Sequence, residues 1–237
     1  MTALRWVTRT AGEVLITLGV LLLLFVSWQL WWTDVTANRE QAGTVQALEH
    51  GFQGAAAKRG PLPKKAEPLA TLTSVPLGEA FAIVRIPRFG AGFARPALNG
   101  TETDTLTKGI GHYVGTALPG LVGNFAVAGH RTTYGRPFAD IQLLKKGDAI
   151  VVETKDSYIV YAVDRHVIVS PTQVDVIDPV PQQPGVQPTQ AWMTMTSCHP
   201  KFSATERYVV FAKLMKIFTR ASGLPASVMA VPTGVVG

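Results

Sequence analysis

The spacing of apolar residues changes character along this chain, and each change marks a boundary. From Val14 to Trp32 the sequence VLITLGVLLLLFVSWQLWW runs without a charge, and a helix of that length crosses a hydrocarbon core about 30 Å thick. Between Asp34 and Gly54 only Gln41, Val45, Leu48 and Phe52 recur at helical spacing, a thin stripe compatible with a polar helix or a loose chain. Residues 55–76 set Pro61, Pro63, Pro68 and Pro76 among lysines and alanines, the composition of an extended spacer. The whole of 33–76 therefore reads as a polar, proline-rich linker.

From Leu77 onward, short runs of β-formers alternate with Gly and Pro punctuation: AFAIVRIP, the GTETDTLTKGIGHY region, NFAVAGH, DAIVVET, SYIVYAVDRHVIV, AWMTMTS and RYVVFAKL. Seven or so strands with few helical patterns predict an all-β barrel or sandwich over residues 77–218. A fragment starting near Leu77 is expected to fold alone. Phe138–Leu144 is the short stretch with helical spacing, and Lys145–Asp148 the turn after it. Ser170–Gln190 holds Pro171, Pro179, Pro181, Pro184 and Pro188, too many for a strand interior. It reads as a long surface loop ahead of AWMTMTS, and loops of that length within a compact domain commonly carry function. Residues 219–237 show no strong period and read as a flexible tail.

Charge then orients the apolar run. Arg5 and Arg9 precede it, while Asp34, Arg39 and Glu40 nearly cancel after it, and Trp28, Trp31 and Trp32 gather at its far end as an interfacial belt. Residues 1–13 are thus expected in the cytoplasm, 14–32 as a single membrane span, and the β domain outside the cell. A cleaved signal peptide is the alternative, with Val35 and Ala37 as a weak cleavage pattern; three tryptophans make a poor signal-peptide core.

Composition narrows the function classes. The formal net charge is +6, but the lysines and arginines are scattered and no aromatic–basic interleaving occurs. This argues for a surface facing an anionic envelope and against nucleic acid. A single cysteine excludes an internal disulfide, and an unpaired thiol in an exported protein calls for an explanation.

That thiol closes a strand. Trp192, Thr194 and Thr196 alternate with Met193, Met195 and Ser197 up to Cys198, and a second strand opens on Arg207. Antiparallel pairing would make Cys198 and Arg207 neighbours at one rim. The apolar run NFAVAGH ends on His130. A thiol, an imidazole and a guanidinium at strand ends are the parts of an activated nucleophile with an electrophilic stabiliser. Each residue alone has a plainer reading, as a small buried hydrophobe, a structural histidine or a solvated cap. Cys198, His199, His130 and His112 are zinc-ligand types, yet adjacent strand residues point to opposite faces and neither CxxC nor HExxH spacing occurs. No dense carboxylate loop suggests calcium. No metal or cofactor is expected, and His50 and His166 read as surface or structural.

TMTSCHP followed by ERYVVFA resembles the TLxTC…R signature of sortases, and GHYVGTALPGLVGNFAVAGHRTTYGRPF resembles the segment carrying their catalytic histidine. The likeness spans Leu77–Phe218 and is greatest to the class E sortases of high-GC Gram-positive bacteria; Met195 departs from the signature by a volume-conserving swap. The resemblance implies an eight-stranded barrel whose 170–190 loop walls a substrate groove. It implies a cysteine transpeptidase in which Cys198 attacks an LAXTG-type sorting signal between Thr and Gly. The Thr carboxyl would pass through a thioester to a cell-wall amine, on a peptidoglycan precursor or cross-bridge. His130 would be acid and base, Arg207 the carbonyl holder, and Tyr113 and Thr196 substrate contacts. The partners implied are secreted proteins bearing such signals, the wall amine and the cell membrane. Two other classes remain open: a papain-like thiol hydrolase, which would orient its histidine with Asn or Asp, and a non-enzymatic anchored binding module.

Overall fold

The computed structural model describes residues 2–58 and 75–231. One helix, α1 (Thr2–Lys58), comes first, followed by strands β1 (Ala80–Arg85), β2 (Arg95–Asn99), β3 (Ile110–His112), β4 (Gly123–Ala128), β5 (Ala149–Glu153), β6 (Ser157–Val169), β7 (Ala191–His199) and β8 (Glu206–Thr219). A short helix, α2 (Thr103–Leu106), lies between β2 and β3, and brief 3-10 turns fill several loops. The strands close into a barrel in the order β1-β2-β3-β4-β7-β8-β6-β5. Among the described residues only the β2/β3 and β4/β7 pairs are parallel.

Period-two patterning decides what faces inward. Phe125 and Val127, Ile159 and Tyr161, Met193 and Met195, and Val210 and Ala212 fill the interior. The alternate residues of β7 and β8 face outward, where Trp192, Val209 and Phe211 are covered by Val176 from the Val174–Ile177 turn. The 170–190 segment is thereby tied to the barrel wall. Asn124 Nδ2 donates to Asp178 O at 2.9 Å and Thr194 Oγ1 to Val176 O at 3.2 Å.

Three sequence readings need correction. The first is β2, which RPALN concealed because proline is rare inside strands. Pro96 pairs with Ile83 of β1, while the ladder to β3 begins one residue later at Ala97, so the missing N–H opens no gap in that second ladder. The second is the GTETDTLTKGIGHY region, which is not one strand but α2 followed by the three-residue β3.

The third is the linker. Residues 33–58 are not a spacer; they continue α1 without a break. No proline occurs between Trp32 and Lys58, so nothing there forces the helix to stop. The stripe identified from spacing docks on the barrel, with Ala37, Gln41, Val45 and Phe52 buried. Val45 and Phe52 cluster with Ile83 of β1, Glu49 pairs with Arg85, and Arg220 stacks over Phe52 at 4.7 Å. The proline-rich 59–74 and the last six residues of the expected tail lie outside the described residues. Upstream, none of the most apolar window of α1 is buried against the barrel.

Candidate active site

The register places two of the three strand-end residues together. Across β7 and β8, Cys198 lies directly opposite Arg207, as Thr196 lies opposite Val209 and Thr194 opposite Phe211. Directly opposed residues share a face, so Cys198 and Arg207 stand on the outer face of the barrel. On the other side β4 runs parallel to β7, pairing Ala126 with Thr194 and Ala128 with Thr196. Gly129 N–H then donates to Thr196 O at 3.1 Å. His130 follows Ala128 by two residues, as Cys198 follows Thr196 by two. Cys198 thus has Arg207 as its cross-strand neighbour on β8, with the segment that leaves β4 on its other side.

His130 is half-buried, and its Nε2 is enclosed without a hydrogen-bond partner among the described residues. Burial lowers its pKa below the usual histidine value, because an imidazolium loses hydration there with no anion to replace it. The ring packs on Tyr134 at 5.1 Å, and its backbone carbonyl accepts from Phe138 N–H at 3.0 Å. That closure requires Gly129, since a Cβ there would sit 2.6 Å from the Phe138 ring.

Arg207 folds back on the β7–β8 loop, its Nη1 donating to Ala204 O at 2.9 Å and Glu206 O at 3.0 Å. Cys198 is a free thiol of intermediate exposure. Tyr113, just after β3, and Thr196, two residues before Cys198, are hydrogen-bonded to each other.

Three other histidines are occupied elsewhere. His112 lies within hydrogen-bond distance of Asn99 through Nδ1 and of Ala117 O and Thr116 through Nε2, bracing the turn after β3; burial lowers its pKa too. His199 accepts at Nδ1 from Arg131, and His166 stacks on Tyr208 at 5.2 Å. Among the described residues no group of three or more His, Cys, Asp or Glu side chains is placed to hold a metal.

Sequence reasoning missed Arg131. Its side chain is buried and works as a hub. Nη1 donates to Cys198 O at 3.0 Å and to His199 Nδ1 at 2.9 Å, Nη2 donates to Gln142 Oε1 at 2.9 Å, and the guanidinium lies over the Tyr208 ring at 5.4 Å. A permanent cation therefore holds the backbone of the cysteine itself. Its position directly after His130 was the available signal. Ser197 adds a second tie, donating to Gly129 O at 2.8 Å across the β4/β7 seam.

Comparison with known proteins agrees with the closed barrel. The family model described as Sortase domain matches residues 84–215. Sortase SrtE1 of Streptomyces coelicolor is 38% identical over 226 residues, 92% of this chain; the match covers 60% of that protein's length. Sortase SrtE2 of the same organism is 32% identical over 218 residues, covering 86% of this chain and 81% of its own. Among solved structures, sortase E from Streptomyces avermitilis is 40% identical with a TM-score of 0.60, covering 65% of this chain and 99% of its own. Sortase E1 from S. coelicolor, solved with a tripeptide in the active site, is 37% identical with a TM-score of 0.58, covering 62% and 95%.

Proposed function

Because the chain belongs to the sortase family, we propose that it is a membrane-anchored cysteine transpeptidase of the class E kind, acting on LAXTG-type sorting signals. The observation that carries this reading is the register that pairs Cys198 with Arg207 on one outward face, with His130 two residues past the last strand pair of the neighbouring β4.

The lowered pKa of His130 leaves its imidazole neutral near neutral pH, so it accepts the thiol proton as Cys198 Sγ attacks the Thr carbonyl carbon. The oxyanion that forms is held by Arg207, whose planar fork suits a carbonyl oxygen turning negative. Collapse breaks the Thr–Gly bond, His130 returns the proton to the leaving amine, and a thioester remains. A wall amine then attacks the thioester, gives its proton to His130, and displaces the thiolate, which is reprotonated. Tyr113 and Thr196 line the approach to Cys198. The Val174–Asp178 turn, tied to Asn124 and Thr194, stands beside the same outward face as a groove wall. A strand-end cysteine with an arginine partner argues against a papain-like hydrolase, whose nucleophile usually opens a helix. The anchor runs through Val14–Trp32 with residues 1–13 in the cytoplasm and the barrel outside.

Mass spectrometry of the full chain with an LAXTG peptide and triglycine tests the assignment. The expected product is the peptide cut after Thr and joined to triglycine, and Cys198→Ala makes none. Residual turnover in Cys198→Ala removes Cys198 as nucleophile. Arg207→Lys should lower turnover by on the order of a hundredfold, the loss of an oxyanion donor.

A further inference from the structure

The loop that carries His130 away from β4 has an unusual backbone. Tyr134, Gly135 and Arg136 have φ of 53°, 75° and 46°, so three consecutive residues occupy the left-handed region. Two of them carry side chains, and such residues persist only where their surroundings hold them. Here the surroundings are α1. Asp34 Oδ1 accepts from Gly135 N–H at 3.1 Å, and Asp34 Oδ2 pairs with Arg136 Nε at 2.9 Å. Gln41, almost fully buried, donates from Nε2 to Tyr134 O at 2.9 Å. Asn38 Oδ1 accepts from Arg95 Nη2 at 3.0 Å, and the same nitrogen donates to Gly135 O at 3.2 Å. A Cβ on Gly135 would meet Gln41 Nε2, Asn38 Oδ1 and Gln41 Oε1 at 3.0 to 3.1 Å, so the helix lies directly on the turn.

Asp34, Asn38 and Gln41 are spaced i, i+4 and i+7 and so share one helical face. Asp34 also follows Trp32, the end of the apolar run, by two residues, a rise of about 3 Å. The held turn feeds into the site: the Tyr134 ring lies on His130 at 5.1 Å, and Phe138 N–H closes the loop on His130 O. We propose that the segment of α1 just outside the membrane span is a positioning strut. Through Asp34, Asn38 and Gln41 it fixes the Tyr134–Arg136 turn, and through Tyr134 it sets the orientation and the dry surroundings of His130. The anchor and the acid–base residue are then one mechanical unit.

The proposal rests on His130 being the acid–base residue, and its test separates the two ideas by reading the histidine directly. Gln41→Met keeps the bulk and loses the donor to Tyr134 O; Asp34→Ala loses the acceptor for Gly135 N–H. In the full chain in detergent micelles, NMR titration of the His130 ring, identified by its absence in His130→Asn, should show its pKa rising toward the ordinary histidine value in Gln41→Met/Asp34→Ala, as water reaches the ring. Cleavage of an LAXTG peptide should fall roughly tenfold to a hundredfold, mainly in kcat, the scale expected when a reacting group is misplaced. Asp34→Asn, which keeps the acceptor, should lose much less than Asp34→Ala. Phe52→Ala, on the same helical face but beside Arg220, should lower Tm and leave the His130 titration in place. A double variant with lowered Tm and an unmoved His130 titration overturns the strut. A wild-type chain that leaves the peptide uncut overturns the transpeptidase reading, while the His130 titration still decides the strut.

Discussion

The Tyr113 hydroxyl lies 2.9 Å from Oγ1 of Thr196, joining the turn after β3 to the strand that carries Cys198. Thr196 is also placed to donate to Val127 O at 3.4 Å. If the threonine proton goes to that carbonyl, the tyrosine proton goes to Thr196, and the tyrosine oxygen keeps its lone pairs for something else. Tyr113 is then an oriented acceptor beside the candidate nucleophile. An alanine at the second position of a sorting signal brings a backbone N–H that needs such an acceptor once buried; a proline brings none.

Tyr113→Phe, which removes only the hydroxyl, should therefore narrow the ratio of kcat/KM between LAXTG and LPXTG peptides by lowering the first more than the second. Leaving the alanine amide unpaired costs about 1 to 3 kcal/mol, so the ratio should fall by on the order of tenfold or more. Both peptides measured on both enzymes decide it. An unchanged ratio means that the hydroxyl only braces Thr196.

Arg131 calls for a different variant, because its charge and its fork do separate jobs. Arg131→Lys keeps the cation but cannot serve Cys198 O, His199 Nδ1 and Gln142 Oε1 at once. Each buried acceptor left unpaired costs about 1 to 3 kcal/mol, so Tm should fall measurably. Turnover should fall on the order of tenfold as Cys198 loses its backbone support. A lowered Tm with unchanged turnover would make Arg131 a staple of the rim and nothing more.

The pairing of Cys198 with Arg207 was legible because each residue ends or begins a run of clean period two, and that period fixes both face and strand end. Arg131 was not legible. Its partners are a backbone carbonyl on another strand and the side chains of His199 and Gln142, and none of these leaves a periodic trace. β2 was hidden by Pro96, whose harmlessness depends on where the β3 ladder starts. The docking of α1 was half visible, since Gln41, Val45, Leu48 and Phe52 were found as a stripe. What made the stripe sufficient is tertiary: Ile83 beneath it, Arg85 and Arg220 beside it, and the turn at Gly135 facing Asp34 and Asn38.

Stability should depend on pH through two histidines. Burial lowers the pKa of both His130 and His112 in the folded chain, whereas in the unfolded chain they titrate near about 6.5. Between the folded and unfolded values the unfolded chain binds more protons, so stability rises with pH across that window. The protein should be most stable above about pH 6.5 and should lose stability as the pH falls from there toward the folded values. The acid limb of kcat/KM should likewise lie below the ordinary histidine range, since His130 stays neutral to lower pH. Thermal melts and rate profiles from pH 5 to 8 check both. A Tm independent of pH down to the carboxylate range would contradict the burial of these rings.

Removing the helix separates anchoring from docking. From spacing alone, a fragment starting near Leu77 should behave like the whole domain, and the barrel's principal core indeed contains no α1 residue. Yet that cut uncovers Ile83, frees Arg85 from Glu49, and strips Gln41 and Asp34 from the turn after His130. Burial of Val45 and Phe52 alone is worth on the order of 3 to 6 kcal/mol at about 1.5 to 3 per side chain, an upper figure because the unfolded chain already hides part of that surface. A fragment of residues 33–237 lacks the membrane span but keeps the docked half of α1, so it should be soluble and melt near the full chain. A fragment of residues 75–237 should still fold, because its eight strands close on themselves, but melt several degrees lower and cleave peptide more slowly. Melting and kcat/KM of the two fragments side by side make the comparison. Equal Tm and equal rates would mean that the contacts between α1 and the barrel hold nothing in solution, and that residues 33–58 serve only to carry the barrel away from the membrane.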